Sequence, residues 1–383
     1  MALHFSETEL ARRRNTVCRE MTRDGLDGML IFRQESMYYL TGYDTFGYVF
    51  FQCLYLSTDG RMTLLTRSAD RLQAEKTSMI EDVRIWVDGP NAAPASVLKD
   101  ILEEHGARDQ RLGVEWEAYG LTARNGQRLS TALDGFCVLV DASELVSKIR
   151  VVKSPAEIDY VRRAGELTDD AHNAAVDLTA PGAFEGQILS AMQGAIFEGG
   201  GDYSGNEFII GSGENALLCR YASGRRTLDS QDQLTLEWAG AYRHYHTAMM
   251  RTFIVGHPDP RHISMHAAAV DALEAVKDNV SPGKTFGDAF QAHCRVLDGA
   301  GLADSRLNAC GYSLGTTFAP NWMDWPMLYA DNPMVFAPGM VIFCHMIIFD
   351  DEAGLAMTLG ETVLVTETGH ERLSKAPLSL VVK

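Results

Sequence analysis

Lys153-Ser154-Pro155-Ala156-Glu157-Ile158-Asp159-Tyr160-Val161-Arg162 is the stretch on which the reading of the chain turns. Ser154 offers a hydroxyl at a helix N-cap, Pro155 is pre-set for the first helical position, and Glu157 stands where its carboxylate reaches back to the cap N–H. Ile158, Val161, Ala164 and Leu167 then keep one face apolar while Asp159, Arg162, Arg163 and Glu166 mostly face water, until Pro181-Gly182 ends the pattern. A long helix begins at Ser154, and a change of organisation begins with it.

Upstream, short β-like runs alternate with helical ones. GMLIF (Gly28 to Phe32), VFFQCLYLS, MTLLTR and VRIWVD (Val83 to Asp88) read as strands, and Thr58-Asp59-Gly60-Arg61 between the second and third is a hairpin signal. ASVLKDILEEHG is helical and stops at Gly106; RLGVEW, a helical stretch from about Leu121 and FCVLVD follow. The prediction is an α/β domain with a mixed sheet over residues 1–147. Downstream, a second long helix from His262 to Asn279 is stopped by Ser281-Pro282-Gly283, and EFIIGSG, QLTLEWAG, MMRTFIVG, MVIFCHMIIF and ETVLVTETG read as strands. Residues 148–383 are expected to form an α+β domain, its helices packed on a curved antiparallel sheet.

The bulk numbers agree. A chain of 383 residues exceeds what one core usually organises. Hydrophobic residues at 46% and charged residues at 22%, with no long uncharged apolar run, fit a soluble globular protein rather than a membrane one. A formal charge of -17 makes nucleic acid and anionic membrane surfaces poor partners. Seven scattered cysteines show no C-x-x-C pair and no zinc-site spacing. The opening MALHFSETELARRR has acids and arginines where a secretion signal has its apolar core, so a cytoplasmic location is expected.

The helix start K-S-P-A-E-I, the strand ending MMRTFIVG and the closing P-G-M-V…ETVLVTETG together resemble the pita-bread family of creatinase, aminopeptidase P and Xaa-Pro peptidases, over essentially the whole chain. The resemblance implies a creatinase-type N-terminal domain and a pita-bread catalytic domain. In the family's peptidases that second domain supplies five ligands to two divalent ions, which make hydroxide from water. Anchored on Arg251, those positions fall here on Glu237, Ala248, Tyr312, His345 and Gly360, with Glu361 beside the last. Neither metal nor other cofactor is therefore expected. Creatinase, in the same family, hydrolyses a C–N bond without metal.

A nearer resemblance is to the ectoine hydrolases, carried by Glu237, Ala239, Gly240, Tyr245, His246, Met249, Arg251 and Thr252 on one strand pair and by the loop Cys310-Gly311-Tyr312-Ser313-Leu314-Gly315. Gly42-Tyr43-Asp44 also matches, and Asn321-Trp322 stands where those enzymes have aspartate-tryptophan. The chain departs from them at Arg220, where they keep a histidine, near Phe46, where they carry tryptophan, and at His345, which they lack.

The catalytic candidates are Glu237, His345 and Glu361. Glu237 sits in an apolar strand where desolvation would raise its pKa and make it a base or nucleophile near neutrality; its structural alternative is an ion pair with Arg243 or Arg251. His345, among apolar neighbours, is the acid or base candidate, and Glu361 a second carboxylate. For substrate binding, Arg220 is a receptor for a carboxylate. Trp238, Trp322, Tyr312, Tyr43 and Phe46 are candidate aromatic walls for a flat cation, alongside Trp325. His246 shares the face of Ala248 and is a weaker pocket histidine. The expected activity is metal-independent opening of a small cyclic amidine bearing a carboxylate, of the ectoine or hydroxyectoine kind. The alternatives are a creatinase-like guanidino hydrolase, a metal-dependent Xaa-Pro dipeptidase and a non-catalytic binding protein. A homodimer, in which the Tyr43 to Phe51 stretch of one subunit closes the pocket of the other, is also expected from the resemblance.

Overall fold

The computed structural model describes residues 3–221 and 224–383. The chain separates into two compact units, one running to Arg150 and the other from Val151 to Lys383, three residues beyond the boundary expected from sequence.

In the first unit β1 (Gly28–Ile31), β2 (Cys53–Ser57), β3 (Met62–Arg67), β4 (Asp82–Trp86), β5 (Arg111–Val114) and β6 (Val138–Asp141) form a sheet of order β4-β3-β2-β1-β5-β6. It is mixed: β1–β2 and β2–β3 are antiparallel, while β3–β4, β1–β5 and β5–β6 are parallel. Helices α1 (Glu7–Arg23), α2 (Gln34–Thr41), α3 (Arg71–Thr77), α4 (Pro94–Glu104), α5 (Ala123–Leu133) and α6 (Leu145–Arg150) surround it. The apolar run of β1 is continuous because both its faces are covered. Met29 and Ile31 enter one core with Met21 and Leu40, whereas Leu30 and Phe32 enter another with Leu98 and Ile101. The hairpin at Thr58 to Arg61 forms as its Asp-Gly pair predicts, with Gly60 at φ +87°.

The second unit contains α7 (Pro155–Leu178), α8 (Glu185–Glu198), α9 (Pro260–Asn279) and α10 (Phe286–Gly299). Its strands are β7 (Ile209–Ser212), β8 (Asp232–Tyr242), β9 (Tyr245–Val255), β10 (Ala309–Ser313), β11 (Asp324–Tyr329), β12 (Val341–Asp350), β13 (Leu355–Val365), β14 (His370–Arg372) and β15 (Val381–Val382). Among the described residues they form one sheet of order β11-β10-β12-β13-β9-β8-β7, with β14 added on β13 and the short β15 running parallel to β9. Neighbours are otherwise antiparallel. Helices α8 and α10 are not singled out by the sequence reading.

Two local features fix the geometry around the site. The β8–β9 hairpin turns through Arg243 and His244, both in the left-handed region (φ 51° and 63°), and this two-residue turn sets Ala248 opposite Ala239 and Met250 opposite Glu237. Helix α7 lies against the same two strands. Thr168 Oγ1 is 2.6 Å from the Thr247 carbonyl and accepts the Gly240 N–H at 3.0 Å, and a Cβ on Gly240 would stand 2.2 Å from the Ala164 carbonyl.

Buried Glu157, read from sequence as half of a cap, has a second duty. One carboxylate oxygen accepts the Ser154 N–H at 2.9 Å and the other accepts the Tyr245 hydroxyl at 2.8 Å, so the start of α7 is tied to the start of β9. Glu157→Ala removes the acceptor of both bonds. It is expected to lower unfolding stability by about 2–4 kcal/mol, measured by denaturant unfolding, with Tyr245→Phe costing clearly less.

Candidate active site

The strand register lays Glu237 (β8), Met250 (β9), Gly360 (β13) and His345 (β12) side by side across the sheet, and Tyr312 (β10) opposite Phe343, two residues before His345. Directly opposed residues share a face. Glu237, Tyr312 and His345 therefore project to one side, while Trp238, Arg251, Leu359, Glu361 and Cys344 project to the other, where α7 and α9 pack.

On the first side lies a cavity of about 340 Å³, lined by Glu237, Tyr312, Trp322, His345, Arg220, Cys219, Asn206, Asn308, Asn321 and several apolar side chains. Tyr312 Oη donates to Glu237 Oε1 at 3.3 Å and accepts Trp322 Nε1–H at 2.8 Å. Burial drives the Glu237 carboxyl up to about 7, against the smaller opposing pulls of the Tyr312 hydrogen bond and the Arg220 charge. The Tyr312 phenol is pushed well above its ordinary range by burial and by Glu237. His345 is pushed down to about 3 by burial, with His293 adding to it, so it is a neutral imidazole at physiological pH. Its Nδ1 is buried without a hydrogen-bond partner. Arg220 lines the cavity from an exposed position.

Five of the ten expected site residues thus meet in one cavity: Glu237, Tyr312, Trp322, His345 and Arg220. The other five do not line it. Glu361 points to the opposite face, fully buried, and binds Arg251 Nη2 (3.3 Å), Lys277 Nζ (3.2 Å) and the guanidinium of Arg372. That cluster corrects its reading as a second catalytic carboxylate, because its lone pairs are engaged behind the sheet. Trp238 is likewise behind the sheet, donating to the Thr168 carbonyl at 3.0 Å and stacked on His172. His246 is fully buried and both its ring nitrogens are engaged by protein groups. Tyr43 is packed in the core of the first unit, and its hydroxyl stands 3.5 Å from Gln52. Phe46 is 78% exposed on the surface of that unit. Asn206, Cys219, Asn308 and Asn321 were not picked from sequence as binding residues. They sit on loops and a strand edge, where neither periodicity nor apolar context marks a wall.

The mixed α/β unit and the antiparallel sheet with a cavity on one face are the architecture of the two-domain pita-bread hydrolases. The chain belongs to metallopeptidase family M24, whose model matches residues 159–367, and residues 13–152 match the creatinase/prolidase N-terminal domain. It is similar to the ectoine hydrolase of Halomonas elongata, at 28% identity over 400 residues covering 100% of this chain and 99% of the relative. An uncharacterized hydrolase/peptidase of Sinorhizobium fredii is 29% identical over 393 residues, with 100% and 99% covered. Among solved structures, the prolidase from Thermococcus sibiricus superposes with a TM-score of 0.89 over 99% of this chain and 100% of that one, at 19% identity, which speaks to the fold alone.

The residues present do not fit the family's pair of divalent ions. Ala248 offers a methyl group, the Tyr312 hydroxyl already lies between Glu237 and Trp322, and at Gly360 a Cβ would meet the Phe343 ring at 2.8 Å. Among the described residues, no three His, Cys, Asp or Glu side chains come together as a metal site.

Two outcomes follow from this division of the sheet into faces. Glu361→Gln weakens a buried ion cluster and is expected to cost about 3–5 kcal/mol in denaturant unfolding. Glu237 behaves in the opposite sense. Its folded value of about 7 lies above the ordinary 4.5, so the native state holds that proton more tightly, and the stability this gives at low pH is lost as pH rises from about 4.5 through 7. Glu237→Gln escapes the loss. It should be more stable than the parent protein at pH 8 by roughly 3 kcal/mol at most, and little different at pH 4, in paired urea titrations.

Proposed function

We propose that this chain is a hydrolase of a non-peptide C–N bond in a small substrate that carries a carboxylate, a cyclic amidine of the ectoine or hydroxyectoine kind, and that it works without a metal ion. The observation that carries the reading is Glu237. It is a buried carboxyl that desolvation pushes up to about 7, hydrogen-bonded to Tyr312, in a cavity whose one cationic lining residue among the described residues is Arg220. The whole-length similarity to the Halomonas elongata ectoine hydrolase supports the substrate class.

Arg220 pairs with the substrate carboxylate and orients the ring. Glu237 in its ionised form either takes a proton from water, which adds to the amidine carbon, or adds to that carbon itself; in the second route the nitrogen leaves with a proton from solvent water, and a further water hydrolyses the imidoyl ester left on Glu237 to the amide. In the water route it is left protonated and returns that proton to the departing nitrogen, so that C–N cleavage yields an amide and an amine. A pKa near the working pH suits one group to both steps. His345, a neutral imidazole lining the cavity, hydrogen-bonds the water or the departing nitrogen in this scheme rather than bringing a proton of its own. Tyr312 holds Glu237 and shares the developing charge. Glu361 has no part in this scheme. The enzyme is proposed to be a cytoplasmic homodimer, with the exposed apolar side chains Phe46, Val49 and Phe50 of the first unit at the subunit contact.

The test is product formation from ectoine, hydroxyectoine, creatine and an Xaa-Pro dipeptide, each with and without chelator. Ring opening of an ectoine that chelator leaves unchanged is expected. Manganese- or cobalt-dependent cleavage of the dipeptide would return the chain to the peptidases, and turnover of creatine would move it to guanidino substrates. On the substrate that reacts, Glu237→Gln should lower kcat by about two to four orders of magnitude, the usual worth of general-base catalysis, and by more if Glu237 is the nucleophile.

A further inference from the structure

The reaction proposed above needs the Tyr312 hydroxyl fixed against Glu237, and a chain of hydrogen bonds accounts for how it is fixed. The chain starts at His246 on β9, outside the cavity wall. Three polar groups face its ring, and all belong to loops that build that wall. The Gly205 N–H donates to Nε2 at 2.8 Å, while Nδ1 stands 3.3 Å from the Gly315 carbonyl and 3.2 Å from Thr317 Oγ1. A backbone N–H on Nε2 requires a lone pair there, so the single proton of the neutral ring is on Nδ1 and is given to Gly315 O and Thr317 Oγ1.

Each later donor follows in direction. Thr317, accepting at Oγ1, has its own proton for the Trp322 carbonyl at 3.3 Å; Trp322 Nε1–H donates to Tyr312 at 2.8 Å; Tyr312 donates to Glu237 at 3.3 Å. The two loops also touch with no slack, since a Cβ on Gly205 would lie 2.9 Å from the Asn321 carbonyl and 3.2 Å from Trp322 Cα. Gly205 and Asn321 thus meet where the His246 imidazole bonds to both loops.

We propose that His246, in its Nδ1–H form, is a positioning residue that joins the loop carrying Asn206 to the loop carrying Trp322 and thereby holds the line Trp322–Tyr312–Glu237 in register. Its effect on catalysis rests on the function proposed above; its effect on Trp322 does not.

The test uses the Trp322 indole N–H resonance in the substrate-free protein, assigned by its loss in Trp322→Phe. His246→Asn takes away the acceptor for Gly205, and the isosteric Thr317→Val removes the one hydroxyl that joins His246 Nδ1 to the Trp322 carbonyl while leaving the Gly205 and Gly315 bonds in place, and serves if the first variant folds poorly. Both are expected to move the indole proton upfield, in the direction set by Tyr312→Phe, as its hydrogen bond weakens. Both should also lower kcat about three- to tenfold, the worth of one hydrogen bond, with KM within about twofold. A folded Thr317→Val protein with an unmoved indole resonance overturns the proposal. So does a moved resonance with parental kcat. Absence of turnover on every substrate tried counts against the proposed function alone, because the indole resonance still decides the role of His246.

Discussion

The arrangement depends on the cross-strand register of β8, β9, β13 and β12. A strand alternates its side chains between faces, so one alignment decides at once which groups enter the cavity and which are sealed behind the sheet. Met250 opposite Glu237 and Gly360, and Gly360 opposite His345, place an acid and an imidazole on the open face. The same alignment puts Arg251 and Glu361 on the closed face, where they meet Lys277 and Arg372. A slip of one residue would exchange the two sets. The left-handed turn at Arg243 and His244 and the Glu157–Tyr245 bond pin that register at the hairpin end.

The two faces treat charge in opposite ways. Behind the sheet Glu361 accepts four hydrogen bonds from three cations, Arg251, Lys277 and Arg372, so its charge is matched although it is fully buried. In front, Glu237 is also buried but has only a phenol and a guanidinium to answer its charge, so desolvation wins and its proton is held to about pH 7. An unmatched carboxyl of this kind weakens the folded state at neutral pH, and it is on this cost that the catalytic role proposed for Glu237 is argued.

Much of the fold was legible in sequence because its signals are local: the cap at Ser154, the Asp-Gly hairpin and the unbroken apolar run of β1 each depend on near neighbours. The site was legible in part. Glu237, Tyr312 and His345 were reached through spacing from Arg251, and the sheet brings those positions together. Trp238 and Glu361 were misread because each adjoins a site position in its strand and so points away from it, a parity that only the register reveals. His246 has the right parity, yet it lies near the hairpin end, where loops from residues 205 and 315–317 come down over it. Tyr43 fails for another reason: an aromatic in an apolar run reads the same whether it walls a pocket or fills a core, and here it fills the core of the first unit.

Replacing five metal ligands is more than deletion, because the space and the charge both have to be rebalanced. Two dications need several carboxylates around them, and among the described residues this cavity has one, already hydrogen-bonded to a phenol. Above Gly360 the Phe343 ring occupies the room where the family carries a glutamate, and Tyr312, in the histidine position, contributes a donor toward Glu237 instead of a lone pair toward a cation. With neutral His345 beside it, the cavity becomes a weakly charged, largely apolar enclosure. In the family's peptidases hydroxide is made by lowering the pKa of water on a metal. In the reaction proposed for this cavity the corresponding step is to raise the pKa of a carboxyl until it exchanges protons near neutrality, and desolvation of Glu237 acts in that direction.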